Sequence, residues 1–323
     1  MEIKYYEPGD EREIISLFSK AFHKSLSFDY WQWRFANNPF LKKPLISLMW
    51  EKGILAGHYA VSGIELNIAD QTQSFSLSGT TMTCPGFEGK GIFPALAADV
   101  YARAVQTHGV SGVMGFPNNK SHYALVKKIQ WNDINIIPGF SIDSARIDDV
   151  QIINIHKISR FDNHHAEFIK KTIYGLGFSV FVNRSASYLN WRYIDCPVNE
   201  YTCLQLMAGD KLAGILITKT FDSFVEAGTK DVDILELVSA PDINILQSML
   251  KGLKKFYNER NVAFRRINIW MPIHDPRHLL CEKLGFMIGA PLTFFCAKAF
   301  VTDIDAIYNY RNWYLSLGDS DVF

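Results

Sequence analysis

The stretch Thr83-Cys84-Pro85-Gly86-Phe87-Glu88-Gly89-Lys90-Gly91-Ile92-Phe93-Pro94-Ala95-Leu96 decides how the rest of this chain is read. An apolar-alternating run over 75–84 reads as a strand that stops at Pro85, and a helix opens at Ile92. Pro94 falls in the first helical turn, where its missing N–H costs nothing. Between strand and helix, three glycines in six residues let successive backbone N–H groups turn toward one point with no Cβ in the way. The helix N-terminus behind them adds unpaired donors and roughly half a positive charge. Such a loop is an anion site, and Lys90 adds a formal charge beside it. The spacing GxxGxG is the reverse of the dinucleotide fingerprint GxGxxG. A Walker A loop needs Ser or Thr after Gly-Lys, where this chain has Gly91.

Working outward, the helix over 92–107 is stopped by Gly109, 110–116 reads as a short strand, and 119–129 as a helix. Upstream, the pattern predicts a helix at 10–23 and a short aromatic helix from Phe28 to Phe35. Strands are expected at 45–50 and 54–68 around a Lys52-Gly53 turn. The second half repeats this order, with helices near 162–174, 185–193, 242–258 and 276–283. Its strands are expected near 201–208, 212–219, 232–239, 264–271 and 288–299.

The likeness extends to residues. Tyr30-Trp31-Gln32-Trp33-Arg34-Phe35 resembles Tyr188-Leu189-Asn190-Trp191-Arg192-Tyr193, and Ile54-Leu55-Ala56-Gly57 resembles Lys211-Leu212-Ala213-Gly214. Thr83-Cys84-Pro85 matches Ser239-Ala240-Pro241, and Lys127-Lys128-Ile129-Gln130-Trp131 matches Glu282-Lys283-Leu284-Gly285-Phe286. Four matches in one order, at a nearly constant offset, point to a duplicated domain. The expected division is 1–148 and 149–323, in a mixed α/β fold. The aromatic segments are read as core, because one survives in the half that lacks a glycine loop. The C-terminal Trp313 to Asp321, aromatic and then acidic, reads as a solvated terminus whose carboxylates could also hold a cationic acceptor.

A length of 323 residues is about twice a typical domain of roughly 150. Lys plus Arg equal Asp plus Glu at 33 each, so no basic excess points to nucleic acid. The acidic, Pro-Gly-broken start is unlike a signal peptide. The apolar stretch from Gly289 to Val301 is too short to span a bilayer and contains Lys298. Five cysteines without a CxxC pair fit neither a zinc ribbon nor a disulfide framework, so no metal is expected. The reading is a cytoplasmic protein with reduced thiols, monomeric or homodimeric, without a membrane partner.

At Gly86-Phe87-Glu88-Gly89-Lys90-Gly91 the sequence resembles the GCN5-related N-acetyltransferase (GNAT) superfamily. Its motif, Arg/Gln-x-x-Gly-x-Gly/Ala at a helix start, binds the acetyl-CoA pyrophosphate. Both motif glycines are present, while Gly86 replaces the leading Arg or Gln. Gly115-Phe116-Pro117-Asn118-Asn119 and the following helix are similar to the family's next strand and helix. Over residues 1–145 the resemblance implies an intact module. Residues 155–300 look like a degenerate copy in which Asp242-Ile243-Asn244 replaces the loop. The implied fold is two tandem GNAT-like domains, each a mostly antiparallel mixed sheet with splayed central parallel strands flanked by helices.

The resemblance implies acetyl-CoA as acyl donor, held by Met82, Thr83, Cys84, Phe87, Glu88, Gly89, Lys90, Gly91, Ile92 and Asn118. The implied reaction is N-acetylation of a small-molecule amine bound between the halves. Amine attack needs a proton removed, and the departing thiolate benefits from an acid. The family often uses a Tyr four residues before a Gly on the helix after the second splayed strand. Counting back from Gln130 reaches Val126, so Tyr123, three residues earlier on the helix face, is the substitute. His58, in a strand near the acceptor pocket, is the candidate base. Two other readings are aminoacyl transfer from charged tRNA by a tandem architecture of this kind, and a non-catalytic acyl-CoA-binding protein.

Overall fold

The computed structural model describes residues 1–320, apart from the side chains of Lys120, Ala290 and Pro291. The chain begins β1 (Glu2–Tyr5), α1 (Glu11–Phe22), α2 (Phe28–Trp31), β2 (Leu45–Glu51), β3 (Ile54–Ile68), β4 (Gln71–Thr83), α3 (Ile92–His108), β5 (Gly112–Gly115), α4 (Asn119–Tyr123) and β6 (Asn132–Asp143). It continues β7 (Ile155–Lys157), α5 (Asn163–Gly175), β8 (Val180–Val182), α6 (Ala186–Leu189), β9 (Thr202–Ala208), β10 (Lys211–Asp222), β11 (Lys230–Ser239), α7 (Ile243–Asn258), β12 (Phe264–Trp270), α8 (His278–Lys283) and β13 (Met287–Ala299). It is a mixed α/β structure, as the sequence pattern requires. No helix among the described residues is long and apolar enough to cross a membrane.

Two compact units form, and they do not follow the expected division at 148. One comprises Met1–Asn135 with Phe294–Asn309, the other Ile136–Thr293 with the chain from Tyr310 onward. Residues 136–148, expected in the first domain, therefore pack in the second unit. Phe294–Asn309, expected in the second domain, packs in the first. The reason is strand pairing. Cys296 to Ala299 of β13 form an antiparallel ladder with Gly115 to Gly112 of β5, while Gly139 to Asp143 of β6 pair antiparallel with Trp270 to Arg266 of β12.

In the first unit the strands run β1-β2-β3-β4-β5-β13, and β4 with β5 is the parallel pair. One sheet face carries Ile14, Leu17, Trp31, Phe35, Leu48 and Met82 under α1 and α2. The other carries Tyr59, Val61 and Val113 under Leu96, Ala97, Val100 and Ala104 of α3. In the second unit the order is β6-β12-β11-β10-β9-β7, with β11 parallel to β12. There α7 buries Leu246, Met249, Leu250 and Leu253 against the strands, as its apolar i, i+3, i+4, i+7 spacing demands.

The aromatic repeat takes the same shape twice. Ser27 and Ser185 cap α2 and α6 by accepting from Tyr30 N and Tyr188 N. Each helix then widens into one π turn, closed by Asn37 N to Gln32 O and by Asp195 N to Asn190 O. Trp31, Trp33 and Phe35 are buried in one unit and Tyr188, Leu189 and Tyr193 in the other, so these rings are core. Arg34 is buried with its Nη1 on the Tyr30 hydroxyl, and Arg192 is buried with its Nη1 on the Tyr201 hydroxyl.

The C-terminal segment is not solvated. Trp313, Tyr314, Leu315 and Leu317 are buried, and so is Asp319. Arg184 Nη2 donates to Asp319 Oδ1 at 2.9 Å and Arg184 Nε to Glu236 Oε1 at 3.0 Å. Both carboxylates raise the Arg184 pKa against the opposing effect of burial, so the guanidinium stays charged. Asp319 is thus committed to a buried ion pair and is not placed to hold a cationic acceptor. Asp321 lies outside the described residues.

Gly112 tests how tightly β5 is held. A Cβ there would stand 2.5 Å from the Phe75 ring and 2.7 Å from the Lys298 carbonyl oxygen, and the latter is backbone that cannot swing aside. Gly112→Ala is expected to lower unfolding free energy by about 1–3 kcal/mol, as overpacking does, with unchanged far-ultraviolet circular dichroism. Denaturant titration checks it.

Candidate functional site

Strand β4 stops pairing before it ends. Its parallel ladder to β5 contains Ser76 with Val113 and Leu77 with Met114, and no rung between the two strands follows. On the other side β4 stays joined to β3 as far as Thr83 with Gly57, but across a bulge: Ala60 faces Gly79 and His58 faces Met82, so Tyr59 opposes both Thr80 and Thr81. Thr80 sits at φ 54°, an uncommon conformation for a β-branched residue. The extra residue bends β4 away from β5 and leaves its edge open beyond Leu77. At the base of the opening, Tyr59 donates to Ser78 Oγ at 3.0 Å, its hydroxyl lies 2.8 Å from that of Tyr101, and Trp131 Nε1 donates to Tyr101 at 3.0 Å. Burial pushes the Tyr59 phenol up to about 12, so these hydroxyls stay protonated and hold the strands as neutral donors and acceptors.

The strand leads into the glycine loop. Gly86, Gly89 and Gly91 have φ of 89°, 76° and 74°, the left-handed region that a side chain would strain, and a Cβ on any of them would meet nothing within 4 Å. Gly91 precedes α3 with no side-chain cap. Phe87 N donates to Cys84 O, and Gly86 N to the Glu88 carboxylate at 2.7 Å. Among the described residues, the amides of Gly89, Lys90, Gly91 and Ile92 donate to no protein acceptor. Lys90 lies over the Phe87 ring, 4.4 Å from its centroid. The result is a run of unpaired backbone donors at a helix N-terminus beside one ammonium, which is chemistry for an oxyanion.

The equivalent place in the second unit is filled. Asp242 caps α7, accepting from Asn244 N at 2.7 Å and Ile245 N at 3.3 Å. A fixed carboxylate therefore takes the donors that α3 leaves open. Beyond the last β11–β12 rung, Ile234 with Ile269, the Leu237 carbonyl accepts from Arg277 and from the Tyr314 hydroxyl. Gly318 packs so closely here that a Cβ would come 3.2 Å from Leu235 O and 2.9 Å from Glu236 Oε1.

The residues singled out in the sequence separate into groups. Met82, Thr83, Cys84, Phe87, Glu88, Gly89, Lys90, Gly91 and Ile92 form one continuous strand end, loop and helix start. The Met82 side chain is buried under α1 and α2, so only its backbone is available to the open edge. Asn118 caps α4 by accepting from Ser121 N at 3.0 Å, so its side chain turns the chain. Tyr123 is exposed and closes α4. The helix expected over 119–129 changes at Ala124 into a π turn, Ile129 N to Ala124 O. The wider turn rotates Val126 away from the face that regular helical spacing gives it with Tyr123, and Val126 packs into the α3-side core. Ser78 and Thr80 escaped notice, although Gly79 inside a strand is a bulge signal.

His58 is not placed for proton transfer to a ligand. It is fully buried, its Nδ1 lies 2.8 Å from Thr80 O, and its Nε2 has no partner. Burial pulls its pKa down to about 4, so the ring is neutral at physiological pH. Its ordinary role is to hold the carbonyl of the bulged Thr80.

Residues 2–132 match the family model of an acetyltransferase (GNAT) domain. No curated protein matches the sequence. Among solved structures, the chain is similar to a GCN5-related N-acetyltransferase from Anabaena variabilis, with TM-score 0.69 at 11% identity over 92% of this chain and 72% of that one. It is also similar to a probable N-acyltransferase from Enterococcus faecalis, with TM-score 0.66 at 12% identity over 92% of this chain and 72% of that one. A putative acetyltransferase from Pyrococcus horikoshii gives TM-score 0.57 at 13% identity over 95% and 93%. At these identities the likeness is one of fold.

The neutral His58 gives a pH signature. Its folded pKa lies below the unfolded value near 6.5, so the unfolded chain binds the extra proton as pH falls between them. The stability this group contributes is therefore complete above pH 6.5 and is lost toward pH 4, by about 1.4 kcal/mol per pH unit and on the order of 3 kcal/mol in all. Unfolding free energies measured across that window should show this slope in the wild type relative to His58→Leu. Parallel pH profiles would mean that the imidazole is solvated.

Proposed function

From a chain whose residues 2–132 carry an acetyltransferase domain of the GNAT family, we propose that the protein transfers an acetyl group from acetyl-CoA to the amine of a small molecule. The observation that carries this reading is the unpaired backbone donor set Gly89 to Ile92, continuous with the open edge of β4. A diphosphate ester fits the donors, and the amides of a pantetheine arm fit an edge that has lost its neighbouring strand. The donor would bind in the first unit only, because Asp242 and the Arg277–Tyr314 contacts occupy the corresponding positions of the second. The recurring bulge, crossover helix and π turn support reading the second unit as a duplicated domain that has given up the cofactor. The acceptor is an uncharged primary amine at the moment of attack, and the reaction draws on the cytoplasmic acetyl-CoA pool.

The reaction asks three things of this chain. The loop amides hold the diphosphate and fix where the thioester falls along β4. A backbone N–H on the open edge polarises the thioester carbonyl as the amine nitrogen adds to it. Collapse then breaks the C–S bond, the nitrogen releases its proton, and the CoA sulfur gains one. Tyr123, exposed at the end of α4, is the group proposed to supply that proton. The base is water, since His58 cannot reach solvent.

Gly89→Glu places a carboxylate where the loop offers donors and forces a side chain into the left-handed region. It is expected to weaken acetyl-CoA binding by at least about 100-fold, because the charge repels the diphosphate and strain adds to it. Calorimetry with acetyl-CoA reads this directly, and unchanged affinity would reject the site. Tyr123→Phe is expected to lower kcat by about 10²–10⁴-fold, the usual worth of a general acid, with little change in acetyl-CoA affinity. Thiol release across an amine panel measures it. Undiminished turnover would remove Tyr123 from the mechanism, and binding without turnover on any amine would favour an acyl-CoA-binding protein.

A further inference from the structure

His122 on α4, Asp133 on β6 and Cys296 on β13 play no part in holding a diphosphate or a thioester, yet they converge. Their Nε2, Oδ1 and Sγ atoms all lie within 4.8 Å of one another. His122 Nε2 stands 2.5 Å from Asp133 Oδ1, and the Cys296 thiol donates to the same oxygen at 3.2 Å. The His122 ring lies flat on Phe294, with centroids 4.0 Å apart and planes at 13°, which fixes the direction of its Nε2. Cys296 is fully buried while Asp133 is exposed, so the cluster opens to solvent on the carboxylate side.

We propose that these three side chains form a zinc(II) site with an open fourth position. A tetrahedral zinc with bonds of about 2.0–2.3 Å sets donor atoms about 3.4–3.6 Å apart. The two hydrogen-bonded separations open by about 1 Å or less, the ion taking the place of the shared protons, and the third pair, His122 Nε2 and Cys296 Sγ, already within 4.8 Å, takes up the remaining adjustment. A thiolate, an imidazole and a carboxylate together select zinc over magnesium or calcium, which prefer oxygen alone. Zinc binds the thiolate, so binding exchanges the Cys296 thiol proton for the ion. The three ligands come from separate elements, and Asp133 and Cys296 are 163 residues apart in sequence. A bound ion would tie the late strand β13 to β6 and α4 in the first unit.

The test uses the full chain, stripped with chelator and titrated with cobalt(II). The expected result is a near-ultraviolet thiolate-to-cobalt charge-transfer band that saturates at one equivalent and is bleached by zinc. Cys296→Ser should abolish the band. Asp133→Asn at the surface and His122→Gln should each weaken cobalt binding by more than about tenfold while the circular dichroism stays unchanged. No band, or a band that survives Cys296→Ser, would overturn the proposal, the latter by placing the ion on another thiol such as the partly exposed Cys196. A band of unaltered affinity in both the Asp133 and His122 variants would overturn it equally.

Discussion

Everything distinctive in the first unit follows from a parallel strand pair that is interrupted after two rungs. Backbone donors and acceptors on a strand edge must be satisfied by another strand, by water or by a ligand. The bulge at Thr80 and Thr81 turns β4 away from β5 while β3 keeps it in the sheet. The bend is stabilised from below, by His58 against the Thr80 carbonyl and by the Tyr59, Ser78, Tyr101 and Trp131 network. These groups are neutral and, apart from the half-buried Ser78, buried, so the opening is fixed by packing and hydrogen bonds rather than by charge. The loop that follows continues from the bent strand, and the donors at the start of α3 stay open because no side chain caps that helix.

Much of this was legible in the sequence, and for specific reasons. The glycine loop could be read because left-handed φ angles leave a compositional mark, and all three glycines adopt them. Helices α1, α3 and α7 could be read because each buries one face. Strand β6 escaped because Asn132-Asp133, Asn135 and Pro138 carry turn chemistry, and pairing with β12, distant in sequence, makes it a strand. The division of the chain escaped for the same reason: no local signal tells β13 to complete the first unit. Pairing between residues distant in sequence is what a single chain read alone conceals.

The site residues divide along the same line. Main-chain geometry was legible, since Gly89 and Gly91 adopt the left-handed φ angles that glycine marks in a sequence. Side-chain functions were less so. His58 has the right chemistry for a base and the wrong environment, because strand alternation puts it beside Leu48, Ala60 and Met82 in the core. Val126 and Tyr123 looked like neighbours on one helix face until the π turn changed the register. His122, Asp133 and Cys296 have no metal-ligand spacing, because their meeting depends on the late strand.

The second unit shows what closes such an opening. It has its own bulge, between Ile217 and Thr218, its own parallel pair and its own crossover helix. Three substitutions of chemistry remove the cavity. Asp242 caps α7 and places a negative charge where an anion would have to come, which costs a competing diphosphate both the donors and a repulsion. Arg277 and Tyr314 satisfy the Leu237 carbonyl. The tail then packs over β11, and the Arg184 ion pair with Asp319 and Glu236 holds it there, since removing Arg184 would leave buried carboxylates uncompensated at a cost of about 3–5 kcal/mol. A glycine loop and an aspartate cap thus give the same strand–helix junction opposite electrostatic signs, and that difference leaves the donors of one junction unpaired while a carboxylate fills those of the other.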